Sequence, residues 1–410
     1  MKSQFRAALL LTTSTIVSGT VSAGEWQGSV EGEYLWFAQE APQTPPFNGQ
    51  QKDSYLSAAV EPEYFHEWNN GYDVFNAKLF YRVDQYDDER THGDIRELAW
   101  LHAASDWEVN VGISKVYWGV TESIHLVDII NQTDLVENLD GEDKLGQPMI
   151  NLSLIRDWGV VSMFVLPGFR ERTFPSAEGR PRFAFPVDVD SPIYESSAEE
   201  KHIDLAIRYS HYIGDWEFGI AHFSGTAREP RLLAVPGTGT VVPVYEQINQ
   251  TSFDLQANIG SWLWKLESYI RSGQGETYTA AAGGFEYTFV GIFGSQTDIG
   301  LISEYLYDER DDTIAPGFTG EPVILSPFEN DLTIGMRLTL NDAQSTELLA
   351  SIIEDLDGDG RTYNIEASRR FGDNTTLSIE ARGVSDIVID SAFSSFIKDN
   401  RVRTKLTYFF

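Results

Sequence analysis

The sequence predicts an all-β protein, a transmembrane antiparallel up-and-down β-barrel of about 18 strands with short periplasmic turns and long extracellular loops. Segments of about 10–13 residues alternate apolar and polar side chains, and short connections alternate with longer ones. The alternation continues to the last residue, Phe410. A soluble sandwich also alternates, but its strands are usually about 5–6 residues long, whereas a membrane-crossing strand needs about 9–11.

The alternating segments are clearest at residues 73–85, 251–260, 331–340 and 401–410. Lipid offers no hydrogen-bond partner, so every backbone amide that crosses a bilayer must pair within the protein. A closed antiparallel sheet achieves this with an apolar outer face and a polar inner face. The alternation therefore favours a barrel.

The connections predict the strand number. Eight tight turns alternate with nine connections that are mostly longer, which implies 18 strands with both termini on the tight-turn side. Outer-membrane barrels have an even number of strands, short periplasmic turns and long external loops.

The chain starts with a predicted signal peptide, residues 1–23. Lys2 and Arg6 precede an apolar stretch, and small residues end it at Ala23. The barrel is then residues 24–410, in the outer membrane of a Gram-negative bacterium. The net charge of −32 argues against nucleic acid as a partner, and the absence of cysteine excludes disulfides.

Residues 117–147 interrupt the two-residue period. Ile124, Val127 and Ile130 recur every third residue, and Asp134 is placed to cap a short helix. Apolar content of this kind suits packing against an inner wall, so we expect a partly helical segment that constricts or plugs the lumen; an external cap is the alternative. The candidate constriction residues are Trp118, Glu122, Asp128, Asn131 and Asp134.

This stretch, "VYWGVTESIHLVDIINQTDLVENLD", resembles the Trp-Gly…Asp-Ile-Ile-Asn-x-x-Asp-Leu segment of a large family of porin-like outer-membrane proteins of unassigned function. The resemblance implies an outer-membrane barrel and names no substrate. The strand count is also similar to that of eighteen-stranded substrate-specific and polysaccharide-export porins. The terminal Phe410 resembles the signal read by the barrel-assembly machinery, which makes that machinery an expected partner, together with outer-membrane lipid and lipopolysaccharide.

Basic side chains on the polar faces are the candidate selectivity residues. They form either a lane for anionic solutes or ion pairs that stiffen the wall. The candidates are Lys78, Arg82, Arg208, Arg271, Arg337, Arg370, Arg382, Arg401, Arg403 and Lys405.

The stretch "DLDGDGRTYNIE" matches a calcium-loop pattern, with Asp355, Asp357 and Asp359 as candidate ligands. An acidic hairpin tip is the alternative, because strands flank the stretch. Calcium is the one cofactor that the sequence suggests.

The expected function is a channel for passive or substrate-selective diffusion of small solutes. A blocked barrel that binds lipopolysaccharide or a partner lipoprotein is the second hypothesis, and a membrane-embedded hydrolase is the third. The sequence carries no metalloprotease, nucleophile-elbow or nucleotide-binding motif, so we do not expect an enzyme.

Overall fold

A computed structural model describes residues 24–41, 51–310, 328–387 and 392–410. The predicted signal peptide lies outside the described residues. The strands are β1 (Glu25–Phe37), β2 (Ser54–Trp68), β3 (Asp73–Asp84), β4 (Gly93–Ala103), β5 (Trp107–Ser114), β6 (Gln147–Arg156), β7 (Gly159–Pro167), β8 (Ile193–Tyr194), β9 (Ile203–Ile213), β10 (Trp216–Thr226), β11 (Arg231–Val235), β12 (Thr240–Tyr245), β13 (Gln247–Ile259), β14 (Trp262–Ser272), β15 (Tyr278–Phe289), β16 (Asp298–Asp308), β17 (Asn330–Thr339), β18 (Glu347–Asp355), β19 (Arg361–Phe371), β20 (Thr375–Ser385) and β21 (Arg401–Phe409).

Eighteen of these strands form one antiparallel sheet that closes on itself. The last strand, β21, pairs with β1 from Ser29 opposite Phe409 to Phe37 opposite Arg401. The terminal Phe410 extends this pairing, because its N–H and its carbonyl both bond to Gly28 at 3.0 Å. The sheet therefore leaves no free edge at its seam, and the predicted fold class and strand number are confirmed.

The connections follow the predicted alternation. Tight turns join β2 to β3, β4 to β5, β6 to β7, β9 to β10, β13 to β14, β15 to β16, β17 to β18 and β19 to β20. The connections at the other end are mostly longer, and β1 begins and β21 ends on the tight-turn side. By the usual rule for outer-membrane barrels, the tight turns face the periplasm and the other end faces the exterior.

The outer face of the sheet is apolar and the inner face is polar. Strand β3 shows the pattern: Leu79, Tyr81 and Val83 are 47%, 51% and 50% exposed, whereas Arg82 between them is 3% exposed. Outward side chains of this kind are stable in hydrocarbon, and inward ones need protein or water partners.

Helices contribute only short 3₁₀ turns to the described structure, at Asn69–Gly71, Glu199–Lys201, Ile292–Gly294 and Ala392–Phe396. Among the residues that the structure covers, no helix is long and apolar enough to cross a membrane.

The external connections fold over the mouth of the barrel. Strands β11 and β12 form a hairpin, and β8 adds to it in parallel. The fully buried Arg180 side chain joins three connections, because it pairs with Asp399 at 2.7 Å and Asp53 at 3.0 Å and donates to the carbonyl of Gln39. These contacts hold the external loops together, and the loops partly cover the mouth of the barrel.

Candidate pore and its inserted segment

The inserted segment, residues 117–147, lies inside the barrel and contains no helix before β6 begins at Gln147. It is built from turns and extended chain, with isolated bridges from Thr133 to Lys144 and from Asp134 to Thr173. The prediction that it is partly helical is wrong. Asp134 does not cap a helix, because its carboxylate instead receives hydrogen bonds from Arg96 and Thr173 at 2.7 and 2.8 Å.

One side of the segment packs as a hydrophobic core against the inner wall. Trp118, Val127 and Ile130 are 9%, 0% and 1% exposed, and they cluster with Phe164 of β7 and Phe223 of β10. This packing accounts for Val127 and Ile130 of the predicted three-residue series, whereas Ile124 lines the outer cavity. The apolar side of the segment therefore lies against β6 to β13.

Two carboxylates on the wall hold the backbone of the segment. Glu267 on β14 is fully buried and accepts the N–H groups of Val120, Thr121 and Val127 at 2.5, 2.8 and 3.1 Å. Glu304 on β16 accepts the N–H of Ser123 at 2.9 Å and its hydroxyl at 2.7 Å. Carboxylates that accept several N–H groups make charge-assisted hydrogen bonds, so this end of the segment is firmly fixed.

The other end of the segment is held by arginines of β3 and β4. Arg82 forms an ion pair with Glu137 at 2.7 Å, and Arg96 forms one with Asp134 at 2.7 Å. Burial would raise the pKa of Asp134, but the hydrogen bond from His92 and the charge of Arg96 hold that pKa at about 2. The segment thus crosses the bore and is anchored on opposite walls.

Two cavities lie beside β17 to β21 in the described part of the structure. The outer one has a volume of about 560 Å³ and reaches the external loops at Arg172, Phe183 and Asp399. The inner one has a volume of about 390 Å³ and reaches Glu347 and Ser378 towards the tight turns. Both cavities are lined by Glu122, Asp140, Glu142, Leu349 and Glu366. We call this shared set the junction.

The cavity linings carry more carboxylates than basic side chains. The outer cavity has six carboxylates, three arginines and His125, and the inner cavity has seven carboxylates and three basic side chains. The inner carboxylates are Glu122, Asp140, Glu142, Asp143, Glu347, Glu366 and Glu380, and the inner basic residues are Arg337, Arg403 and Lys405. The formal charge of both linings is therefore negative.

Most of the predicted selectivity residues are engaged in ion pairs. Eight of the ten lie within 2.5–3.8 Å of a carboxylate oxygen, namely Lys78, Arg82, Arg208, Arg271, Arg337, Arg382, Arg403 and Lys405. Arg370 and Arg401 form no ion pair within the described part of the chain; Arg370 donates to the carbonyl of Ala343 at 2.7 Å. Of the two interpretations of these residues, wall-stiffening pairs match the geometry better.

The predicted constriction residues separate into two groups. Glu122 lines both cavities and pairs with Arg337 at 2.7 Å. The other four shape the segment itself: Trp118 packs in its core, Asp128 accepts the N–H of Trp118, Asn131 binds two carbonyls, and Asp134 is buried. They therefore support the segment and do not line the cavities.

Sequence reasoning missed most of the junction. Asp140 and Glu142 were visible as acidic residues of the segment, but nothing in the sequence places them opposite Leu349 and Glu366. Arg172 in the outer cavity was also missed, because it belongs to a long connection without a periodic pattern.

The Asp-rich stretch after β18 forms a hairpin turn. Asp355 Oδ1 accepts the N–H groups of Asp357 and Gly358 at 2.8 and 2.9 Å, and Asp357 accepts a hydrogen bond from Asn330. The described residues hold no cluster of three or more acidic or histidine side chains arranged for a metal ion. This geometry favours the turn interpretation, and calcium binding stays a prediction.

Comparison with solved structures identifies the fold. The chain is similar to OccD3 (OpdP) of Pseudomonas aeruginosa, with a TM-score of 0.55, 9% identity, and 96% and 92% of the two chains covered. It is also similar to a BenF-like porin of Pseudomonas fluorescens Pf-5, with a TM-score of 0.53, 11% identity, and 96% and 99% covered. A third similar structure is Wzi of Escherichia coli, described as a carbohydrate-binding β-barrel involved in group 1 capsule assembly, with a TM-score of 0.51, 8% identity, and 92% and 83% covered.

No protein-family model matches the chain, and no curated protein matches it. The resemblance to porin-like proteins therefore has support from the fold and none from a sequence family. The closed 18-stranded barrel with a lipid-facing apolar surface is a porin-like fold, and it places the chain in the outer membrane of a Gram-negative bacterium.

Proposed function

We propose that this protein is a channel through which small hydrophilic solutes diffuse passively across the outer membrane. The observation that supports the proposal is that the two cavities share five lining residues at the junction and together extend from the external loops towards the tight turns. The inserted segment narrows the bore, and an 18-stranded barrel is wide enough to leave a channel beside it. Selectivity then depends on the side chains that face this route.

We further propose that the junction prefers cations. The linings hold more carboxylates than basic side chains, and Glu142 and Glu366 remain 54% and 44% exposed although they pair with His125 at 3.0 Å and Arg382 at 3.1 Å. An anion preference, which the basic side chains suggested, would need arginines without carboxylate partners. Arg401 is the best candidate, because it lines the outer cavity and its buried Nε has no hydrogen-bond partner in the structure.

No catalytic step belongs to this proposal. His125, the histidine that lines the outer cavity, lies 3.0 Å from Glu142 and 3.8 Å from Glu267. A hydrolase would need a histidine within hydrogen-bond reach of a nucleophile. The residues around His125 instead form an ion-paired cluster.

The test is the reversal potential of single channels in a planar bilayer under a salt gradient. We expect steady current steps with cation preference, weakened in the double variant Glu142→Gln, Glu366→Gln. The matched control is Glu63→Gln, an inward glutamate of β2 that pairs with Lys78 and lines neither cavity. If the unaltered channel prefers anions and the Arg401→Gln variant does not, the proposed cation preference is wrong. A correctly folded barrel without current would refute the channel and support a blocked, binding barrel.

A further inference from the structure

The barrel wall is interrupted in its outer half, between β4 and β5. Strand β4 pairs with β3 along Gly93 to His102, but it pairs with β5 only from Leu98 onward. The reason is that β5 ends at Ser114, where the chain leaves the wall towards the inserted segment. In the described structure, no strand pairs with the other edge of β4 from Gly93 to Glu97.

This edge is covered by chain that is not part of the sheet. Gly146 lies so close to it that a Cβ atom there would be 2.1 Å from the carbonyl oxygen of Ile95 and 2.7 Å from that of Arg96. Only glycine fits such an approach. Unpaired backbone groups are costly in hydrocarbon, so the open edge of β4 must be shielded from lipid by other parts of the chain.

A groove of about 630 Å³ lies at this interruption. Leu79, Tyr81 and Ile95 line it, and they are 47%, 51% and 38% exposed on the lipid-facing surface. Ile113 and Pro148 complete its apolar sides. The groove therefore opens towards lipid and has the apolar surface that a hydrocarbon chain would contact.

The base of the groove is charged. Arg170 lines it, and its Nη1 donates to Asp94 Oδ1 at 2.5 Å and to the carbonyl of Gly146 at 2.8 Å. Its Nε and Nη2 make no hydrogen bond with the described residues, and its side chain is 31% exposed. The ion pair with Asp94 uses Nη1, so Nε and Nη2 remain to donate to the oxygens of a phosphate.

We propose that this groove binds a phosphorylated lipid of the external leaflet, with an acyl chain along Leu79, Tyr81 and Ile95 and a phosphate on Arg170. The groove lies near the external end of β4, so the chemistry fits lipid A, whose phosphates lie at that surface. The site is on the outside of the barrel. The proposal is therefore independent of whether the lumen conducts.

The test is native mass spectrometry of the purified, folded protein mixed with bis-phosphorylated lipid A. We expect one retained lipid on the unaltered protein and about tenfold weaker retention for Arg170→Gln, the loss expected for a charge-assisted hydrogen bond. The control is Arg361→Gln, since Arg361 also lies near the external end and pairs with Glu354 at 2.6 Å. A second variant, Ile95→Trp, fills the groove, keeps Arg170, and should also lose the lipid.

Heat-dependent electrophoretic mobility shows whether each variant is folded. Three results would overturn the proposal: no retained lipid on the unaltered protein, equal retention by the folded Arg170→Gln variant, or equal retention of lipid A that lacks phosphates. Displacement of lipid A by inorganic phosphate alone, without any effect of Ile95→Trp, would also overturn it, because it would identify a free-anion site.

Discussion

Replacing Glu267 with alanine should release the inserted segment from the wall. Glu267 accepts three backbone N–H groups of the segment within 2.5–3.1 Å, and its side chain is fully buried. A hydrogen bond to a charged group contributes about 1.5–3 kcal/mol, so the three bonds together contribute roughly 5–9 kcal/mol. That is comparable with the whole stability of a typical domain. We therefore expect the segment to leave its site near β14 while the closed sheet persists.

The assay is single-channel conductance in a planar bilayer. The Glu267→Ala channel should show larger and noisier current steps, because a wider part of the bore becomes open. Glu267→Gln keeps one acceptor oxygen and should be intermediate. The control Glu63→Ala removes an inward carboxylate that pairs with Lys78 and does not touch the segment. Unchanged steps in Glu267→Ala would refute the idea that this carboxylate fixes the segment.

Three further predictions concern the external connections and the C-terminus. Burial alone would lower the pKa of His92, but the hydrogen bond and charge of Asp134 raise it overall. Protonated His92 therefore stabilises the fold at pH values below its ordinary pKa, and this stabilisation is lost as the pH rises through the raised pKa. Thermal unfolding at several pH values should show this loss of stability. The His92→Gln variant should lack this pH dependence. Asp355→Ala should lower the free energy of unfolding in urea by about 1 kcal/mol, because it removes the hydrogen bonds of the hairpin turn. Added calcium should not change the stability of the unaltered protein or of the variant. Stabilisation of the unaltered protein by calcium would support the calcium site. Phe410→Ala keeps the backbone bonds to Gly28 and deletes a side chain that is 54% exposed, so we expect normal stability in vitro but less barrel inserted in cells. Equal insertion would argue against Phe410 as an assembly signal.

The strands were predictable because two requirements act at every residue of the wall. Each amide must pair, and each side chain must suit either lipid or lumen, so the order of apolar and polar residues reports the sheet directly. The turns were predictable for a related reason, since short polar breaks between alternating segments leave little choice of connection. Residues 331–340 and 401–410 illustrate this, because the predicted strands agree closely with β17 and β21.

The inserted segment was harder to predict, because its conformation depends on partners far away in the chain. Its backbone N–H groups bind Glu267 and Glu304, more than 130 residues later, and a local pattern cannot reveal such acceptors. Asp134 has the right spacing for a helix cap, but Arg96 and His92 compete for its carboxylate. Which basic side chains form ion pairs could not be predicted for the same reason, since it depends on which carboxylates the neighbouring strands bring close.

The position of the inserted segment also constrains how the barrel can be assembled. Its polypeptide partners include β14, β16 and β20, which are synthesised after it. Its carboxylates could not cross the acyl chains unaided, since an isolated ion in hydrocarbon is very costly. The segment therefore reaches its place inside the barrel without entering lipid, and its contacts are complete only when these later strands have joined the sheet.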